Sequence, residues 1–570
     1  MPGVRKPMPG VVYMPDQDIA RYVQAGVYTD ETLIGAYRAS FARHADRVAL
    51  SEPGTEISYR ELDEMSDRGA AALWRLGLRP LDRAVFQMRN SKELFYAFFS
   101  CLKIGVIPVC TLAAHREAEI GYLGRHARAK AHFVHGDDGK FDLVGFARRM
   151  REDIPTMEHI LVAPPGTDAP PGDTRDFMAL IAAEDAGDAR ALVDGVDLDP
   201  YQVVLFQLSG GTSGIPKIIP RFHNEYRYSI GTVIDCAGLD ETMVAFTPNP
   251  HMHNAPMIQY WGPALMVGGE VAIPGGRMAL DEIEKVMAAR RPTWIALAKV
   301  HMVRLAEAGA FDRMPLDQVK GFIVTDSAVA LREMIGAPCL PIFGMTEGLL
   351  CITRPDAPEA AFDNCVGQPL SPHDEVRIVE PGTERDLPFG EAGELLVRGP
   401  SVLRGYYDAP ERNAEAITAD GFYRSGDLLR FRDVEGERYL SFEGRVKDVV
   451  DRGGEKINCS EVENALALHP DVGAVACVPM PDPLYGERMC AFVVPKEGRQ
   501  APDVAAAGRF LERQGLAKFK WPERIEAIDD LPMTRSGKVS KPLMREIVTA
   551  KLAEEAATGN GSAQDRGVVA

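Results

Sequence analysis

Seven short runs of branched and aromatic residues recur through the first three quarters of the chain: RAVFQM from Arg83, AHFVHG from Ala131, HILVAP from His159, VVLFQL from Val203, EVAIPG from Glu270, GFIVTD from Gly321 and LPIFGM from Leu340. Stretches of helical, amphipathic spacing separate them. Apolar runs of this length suit strands buried on both faces, and their alternation with helices is the pattern of parallel sheets covered by helices. The expected class is therefore α/β. After about residue 445 the texture changes. KDVVDRGGEKI, from Lys447, is charged and glycine-rich, and EVENALALHPDVGAVACVPMPD, from Glu461, reads as helix, turn and strand. A small, mobile α+β domain is expected there, giving 1–446 as a large N-terminal domain with parallel-rich sheets flanked by helices, 447–552 as the second domain, and 553–570 as a disordered, polar tail. No internal repeat is visible.

The most apolar stretch, Leu94–Ala114, has the length of a membrane span, but Lys103, Gly105 and Pro108 interrupt it. It reads as a buried helix, a turn at Gly105 and a short strand, IPVC. The N-terminal MPGVRKPMPGVVYMPDQDIA is broken by prolines and lacks the continuous apolar core of a signal peptide, so it reads as a mature, non-secreted start.

A chain of 570 residues divides into at least two domains, and 64 basic against 82 acidic side chains leave a formal charge of −18. That charge disfavours a nucleic-acid partner, so an anionic ligand has to be held by a local cluster of donors. Nine cysteines occur without a CxxC pair, which suggests neither a zinc site nor a disulfide framework and fits a reducing cytoplasm.

Such a donor cluster is present in LSGGTSGIPK, Leu208–Lys217, with glycines at 210, 211 and 214, hydroxyls on Ser209, Thr212 and Ser213, and the charge of Lys217. Strand-like runs lie on either side. The spacing is not that of a Walker loop, because Ile218 follows Lys217. Glycines allow close backbone approach to a phosphate, and the hydroxyls and N–H groups donate to its oxygens; the bland alternative is a surface turn.

Four further motifs follow in order: FGMTEG (Phe343–Gly348), YRSGD (Tyr423–Asp427), EGRVKDVVDRGGEKI (Glu443–Ile457) and RSGKVSK (Arg535–Lys541). With LSGGTSGIPK and SYRELD (Ser58–Asp63), they make the chain resemble, over nearly its whole length, the adenylate-forming superfamily of acyl-CoA synthetases, nonribosomal adenylation domains and luciferases. The resemblance implies ATP and Mg²⁺ as cofactors, with Ser209, Gly210, Gly211, Thr212, Ser213, Gly214, Thr346, Asp427 and Arg445 on the nucleotide and Lys217 beside the phosphates. Glu347 is the implied Mg²⁺ ligand, and Asp427 suits a ribose because a carboxylate accepts from two vicinal hydroxyls at once. Lys538, a compact charge on a flexible stem, is the first choice for the catalytic residue bridging substrate carboxylate and α-phosphate. Lys447 and Asp448 are the implied hinge, and Gly453 and Gly454 line a tunnel for a pantetheine thiol. Each charged residue also has an ordinary reading as a solvated side chain or surface ion pair.

Within the superfamily the chain is most similar to stand-alone aryl-acid-AMP ligases that activate 2,3-dihydroxybenzoate or salicylate for siderophores. In PHMHNAPM, His253 and Asn254 match that group's pocket pair: an imidazole packs on a flat ring and an amide bonds an ortho hydroxyl. His251 has less claim to a role. Gln259, Thr325, Asp326 and Gly344 complete the implied pocket. Thr325, Asp326 and Ser327 stand where the group has a Gly-Gly-Ala turn, and Gln259 where it has a small residue. Asp326 either bonds a ring amino group or caps the following helix. The resemblance implies two steps, aryl-AMP formation with pyrophosphate release and then acyl transfer to CoA or to the phosphopantetheine of a separate aryl carrier protein, with no nucleic-acid or membrane partner. The alternatives are a degradative aryl- or alicyclic-acid CoA ligase, an amino- or heteroaryl-acid AMP ligase, an oxidase of luciferase type, and a non-catalytic binding module.

Overall fold

The computed structural model describes residues 3–137, 141–166, 171–209, 216–274, 280–297, 299–324, 328–452, 455–534 and 538–558. All seven apolar runs contain strands. In one seven-stranded sheet the order is Arg175–Asp176, His159–Val162, Ala131–Val134, Arg83–Gln87, Ile107–Val109, Val203–Ser209, Lys217–Phe222; every neighbouring pair is parallel except the last. A nine-stranded sheet runs Gln368–Pro369, Leu350–Ile352, Cys339–Gly344, Gly321–Val324, Trp294–Ile295, Val244–Phe246, Glu270–Ala272, Val48–Glu52, Thr55–Ser58. Its pairs are parallel from Cys339–Gly344 through Val48–Glu52 and antiparallel at both edges.

The stretch of membrane-span length folds as the sequence suggests. Ser91 caps helix Lys92–Lys103, Gly105 takes a positive φ of 70° that a side chain would strain, and Ile107–Val109 is a buried strand. Among the described residues no helix is long and apolar enough to cross a membrane. The motif SYRELD opens helix Tyr59–Arg75, with Ser58 accepting the Glu61 N–H at 3.1 Å.

Lys103 reaches from one of these helices to the other. Its side chain is wholly buried, and its ammonium lies 2.6 Å from both Asp63 Oδ1 and Asp67 Oδ1. Burial lowers its pKa and the two carboxylates oppose that shift, while Arg190 pairs with both aspartates from helix Ala186–Asp194. Replacing Lys103 by methionine leaves two buried carboxylates sharing one partly exposed arginine. It should cost about 3–5 kcal/mol in urea unfolding of the full chain; a loss under about 1 kcal/mol would show that Arg190 alone satisfies the pair.

The chain divides into two compact units: Met1–Val376 with Val397–Arg424 and Asp433–Leu440, and Arg377–Leu396 with Ser425–Arg432 and Ser441–Ala570. Glu375–Val379, Gly393–Arg398, Tyr423–Val434 and Glu437–Arg445 form a four-stranded sheet. The second unit contains a five-stranded sheet built on the long antiparallel pair Val472–Asp482 and Gly486–Pro495. Helix Cys459–Leu466 lies where the sequence pattern puts it. The last helix, Lys541–Thr558, runs past residue 552 into the segment expected to be a disordered tail. Alanine and glutamate there favour helix, and Glu555 holds Arg524 at 2.7 Å. Residues 559–570 lie outside the described residues.

Candidate active site

The glycine-rich loop joins two antiparallel strands whose ends, Ser209 and Lys217, face each other in register. Gly210, Gly211, Thr212, Ser213 and Gly214 lie outside the described residues. At one end the buried Ser209 Oγ has no hydrogen-bond partner among the described residues, an orphan that suits an anion bound at this loop. At the other, the Lys217 ammonium sits 4.6 Å from the centre of the Tyr406 ring.

Tyr406 links that lysine to the acidic motif. Its hydroxyl donates to Glu347 Oε1 at 2.9 Å and lies 3.0 Å from the Tyr423 hydroxyl. Burial and the adjacent carboxylate raise the Tyr406 pKa, so it stays a protonated donor. Glu347 is itself buried, and its backbone carbonyl accepts the Leu403 N–H at 2.6 Å. Gly348 has φ 140°, and a Cβ there would stand 2.2 Å from the Ser401 carbonyl, so this turn tolerates only glycine. One carboxylate oxygen engaged by a phenol and one left over is a donor set fit for a magnesium ion completed by phosphate oxygens.

Arg221 braces the same turn from beneath. Its guanidinium donates to the Thr346 carbonyl at 2.7 Å and the Ser401 carbonyl at 3.2 Å, and pairs with Glu225, all in the interior. Burial pushes the Glu225 carboxyl up to about 7, with Arg221 and then Arg404 opposing. A folded-state pKa above the ordinary 4.5 means that the folded chain keeps a proton the unfolded chain has lost. This contribution to stability is complete below pH 4.5 and disappears as pH rises through about 7. Relative to Glu225→Gln, the wild type should lose up to about 1.4 kcal/mol per pH unit in that window. Parallel urea-stability profiles for the two proteins would remove Glu225 as the titrating group.

The pocket motif folds as a sequence of short turns. His253 caps Asn254–Pro256, its Nδ1 accepting the Ala255 N–H at 3.4 Å, and Met257–Trp261 then forms a π-helical turn. Gly262 closes that turn, since a Cβ there would lie 2.0 Å from the Met257 carbonyl. Two indoles pin it: Trp261 Nε1 donates to the His251 carbonyl and Trp294 Nε1 to the Gln259 carbonyl, each at 2.9 Å. Single π-helical turns of this kind are frequent at functional sites. Asn254 and Gln259 are buried and His253 is half-buried. His251 is a core histidine whose Nε2 lies 3.3 Å from the Thr247 carbonyl, and burial lowers its pKa to about 4. Gly344 ends strand Cys339–Gly344 at an exposed position. Thr325 and Asp326 lie outside the described residues, between strand Gly321–Val324 and helix Ala328–Ile335.

The second unit holds a separate cluster. Arg445 Nε is 3.1 Å from the buried carboxylate of Asp427. Lys538 is tied to Thr534, with its N–H on Thr534 Oγ1 at 3.1 Å and its carbonyl accepting the Thr534 N–H at 2.6 Å. Part of the Lys538 side chain reaches solvent, yet the protein around it and then the Arg445 charge lower its pKa, with Asp427 opposing. Asp448 lies in the turn Val446–Asp448, tied to the last helix by Arg545 at 2.8 Å and Lys541 at 3.6 Å; Lys447 precedes it. Gly453 and Gly454 lie outside the described residues.

Sequence reasoning did not single out Tyr406, Arg221, Glu225, Tyr226 or Gln207. The only signal was charge: Arg221 and Glu225 are four residues apart in KIIPRFHNEY, in which half the residues are polar.

A fold of two parallel-rich sheets with a smaller α+β unit, carrying these motifs in this order, is that of adenylate-forming enzymes. The AMP-binding enzyme model matches residues 37–407 and the AMP-binding enzyme C-terminal domain model matches 461–538, so the chain belongs to the AMP-binding enzyme family. It is 36% identical over 556 residues to 2,3-dihydroxybenzoate-AMP ligase of Bacillus subtilis (strain 168), covering 95% of this chain and 98% of that one. It is 37% identical over 547 residues to Triostin synthetase I of Streptomyces triostinicus, covering 95% and 99%. Among solved structures, apo MbtA of Mycobacterium smegmatis superposes with a TM-score of 0.70 at 31% identity, covering 94% of this chain and 98% of that one. The expected α/β class, the adenylate-forming superfamily and the likeness to aryl-acid-AMP ligases are borne out.

Proposed function

We propose that the chain activates an aromatic carboxylic acid with ATP, releasing pyrophosphate and forming an aryl adenylate, and then transfers the acyl group to a pantetheine thiol. The observation that carries the acid class is the buried Asn254 amide at the start of the indole-pinned turn, with Gln259 also buried there. A flat ring with one polar substituent complements such a turn, and full-length similarity to a 2,3-dihydroxybenzoate-AMP ligase supports it.

Adenylation brings a carboxylate and a triphosphate together, so the protein's work is positioning and charge compensation. Ser209, Lys217 and the glycines between them hold the phosphates. Glu347, oriented by Tyr406 and by the turn braced on Arg221, holds Mg²⁺, which when bound neutralises phosphate charge. Asp427 accepts from the ribose hydroxyls and Arg445 orients it. Lys538 stabilises negative charge between the acid and the α-phosphate. The protein around it, and then Arg445, lower its pKa. For the second step, Lys447 and Asp448 act as the hinge of a C-terminal body beginning at residue 447, with Gly453 and Gly454 flanking the path of the thiol. The acceptor is the phosphopantetheine of an aryl carrier protein or CoA, and the setting is a reducing cytoplasm, in keeping with nine cysteines all present as free thiols.

The test is pyrophosphate release with Mg-ATP across salicylate, 2,3-dihydroxybenzoate, aminobenzoates, heteroaryl acids and cyclohexanecarboxylate, each with and without CoA. Release with hydroxybenzoates, unchanged by CoA, supports a carrier-protein ligase of siderophore type. Turnover that requires CoA makes it a CoA ligase. No release with any aromatic acid, alongside release with aliphatic ones, overturns the proposal.

A further inference from the structure

We infer that Tyr226, held by Gln207, fixes the Asn254 amide so that the acid pocket selects aromatic acids carrying a hydrogen-bond acceptor beside the carboxylate. This rests on the proposed function in one respect, that Asn254 faces the acid.

Three elements meet here. Gln207 is on strand Val203–Ser209, Tyr226 on helix His223–Ala237, and Asn254 starts the pocket turn; none is more than 5% exposed. Gln207 Nε2 donates to the Tyr226 hydroxyl at 3.3 Å and to Met257 Sδ at 3.6 Å, and the Tyr226 hydroxyl donates to Asn254 Oδ1 at 2.7 Å. The direction of this chain follows from counting protons. Gln207 turns its NH₂ to the Met257 sulfur, which can only accept, so the phenol oxygen beside it also accepts from Gln207; the one phenolic proton then goes to Asn254, whose facing atom is the carbonyl oxygen. Turning the amide over would put donors on both sides of the phenol and leave its own proton unsatisfied in the interior, a costly arrangement. Burial keeps the phenol protonated.

Asn254 therefore shows its NH₂ to the pocket, and among the described residues that group donates to no protein acceptor. A ligand meeting it must supply lone pairs. An ortho phenol does so: its proton is drawn to the neighbouring carboxylate, leaving the oxygen free to accept. A ring nitrogen beside the carboxylate does the same. An ortho amino group does not, since its lone pair is delocalised into the ring and its N–H bonds confront those of Asn254. An unsubstituted ring leaves the NH₂ unpaired, the situation in which a polar site discriminates most strongly.

The experiment compares kcat/KM for salicylate, pyridine-2-carboxylate, 2-aminobenzoate and benzoate in the wild type, Tyr226→Phe and Gln207→Leu, with the melting temperature of each. The wild type should favour the first two acids over the last two. Tyr226→Phe, which frees the amide to turn, should reduce the salicylate-to-benzoate ratio about five- to tenfold, with benzoate changing much less, and Gln207→Leu should reduce it in the same direction. An unchanged ratio, an equal loss on all four acids, or a wild type that prefers 2-aminobenzoate overturns the inference while leaving aryl-acid activation standing. If Tyr226→Phe fails to fold, the ratio in Gln207→Leu decides. A wild type that ignores all four acids but activates aliphatic ones removes the proposed function, and this inference with it.

Discussion

Lys538→Ala should lower aryl-adenylate formation about 10²- to 10³-fold while leaving thiol transfer from preformed adenylate nearly intact. The asymmetry follows from where charge develops. In the first step the carboxylate and the α-phosphate approach as anions, and an ammonium between them is worth more in the transition state than in the separated reactants. In the second step the adenylate already exists and the nucleophile is a thiol. Lys538 is suited to this work because Thr534 holds both its backbone N–H and its carbonyl, while its charge sits at the end of a long, unbranched stem. Single-turnover assays from each side separate the steps. An equal loss in both would mean that the substitution damages the fold or a shared binding surface, and would remove the assigned role.

Glu347→Gln should reduce kcat/KM for ATP about 10²-fold and raise the half-saturating Mg²⁺ concentration about tenfold. Glutamine retains an oxygen to accept the Tyr406 proton, so the turn between Thr346 and Gly348 keeps its support and only the charge is lost. Unchanged Mg²⁺ dependence, with the same fall in rate, would make Glu347 a structural acceptor for Tyr406.

The parallel core was legible because fully buried strands carry no polar alternation: RAVFQM, VVLFQL and GFIVTD could hardly be anything else between helical stretches. Strands Tyr423–Val434 and Glu437–Arg445 were harder to read, since charges stand on both faces of the first, Arg424, Arg430 and Arg432 on one and Asp427 and Asp433 on the other, and break the period of two. The motifs announced Lys217, Glu347, Asp427 and Lys538 as the proposed site residues, because their residue types suit that chemistry directly. What orients them was hidden by sequence distance. Tyr406 meets Glu347 across 59 positions and Arg221 meets Thr346 across 125, and neither tyrosine nor arginine signals such a partner. Lys103 is the sharper case. The sequence offers it as evidence against a membrane span, and only the structure shows that two aspartates from another helix make its burial tolerable. The π-helical turn at Met257–Trp261 has no periodicity short enough to detect, and Gly262, on which it depends, looks like any glycine before a proline.

The most direct test of the central claim is exchange of labelled pyrophosphate into ATP, with the intact chain, Mg²⁺ and salicylate or 2,3-dihydroxybenzoate, and no thiol present. Reversible formation of an aryl adenylate predicts exchange that depends on the acid and is lost in Lys538→Ala. Exchange that persists without the acid, or that aliphatic acids support and aromatic acids do not, would contradict it.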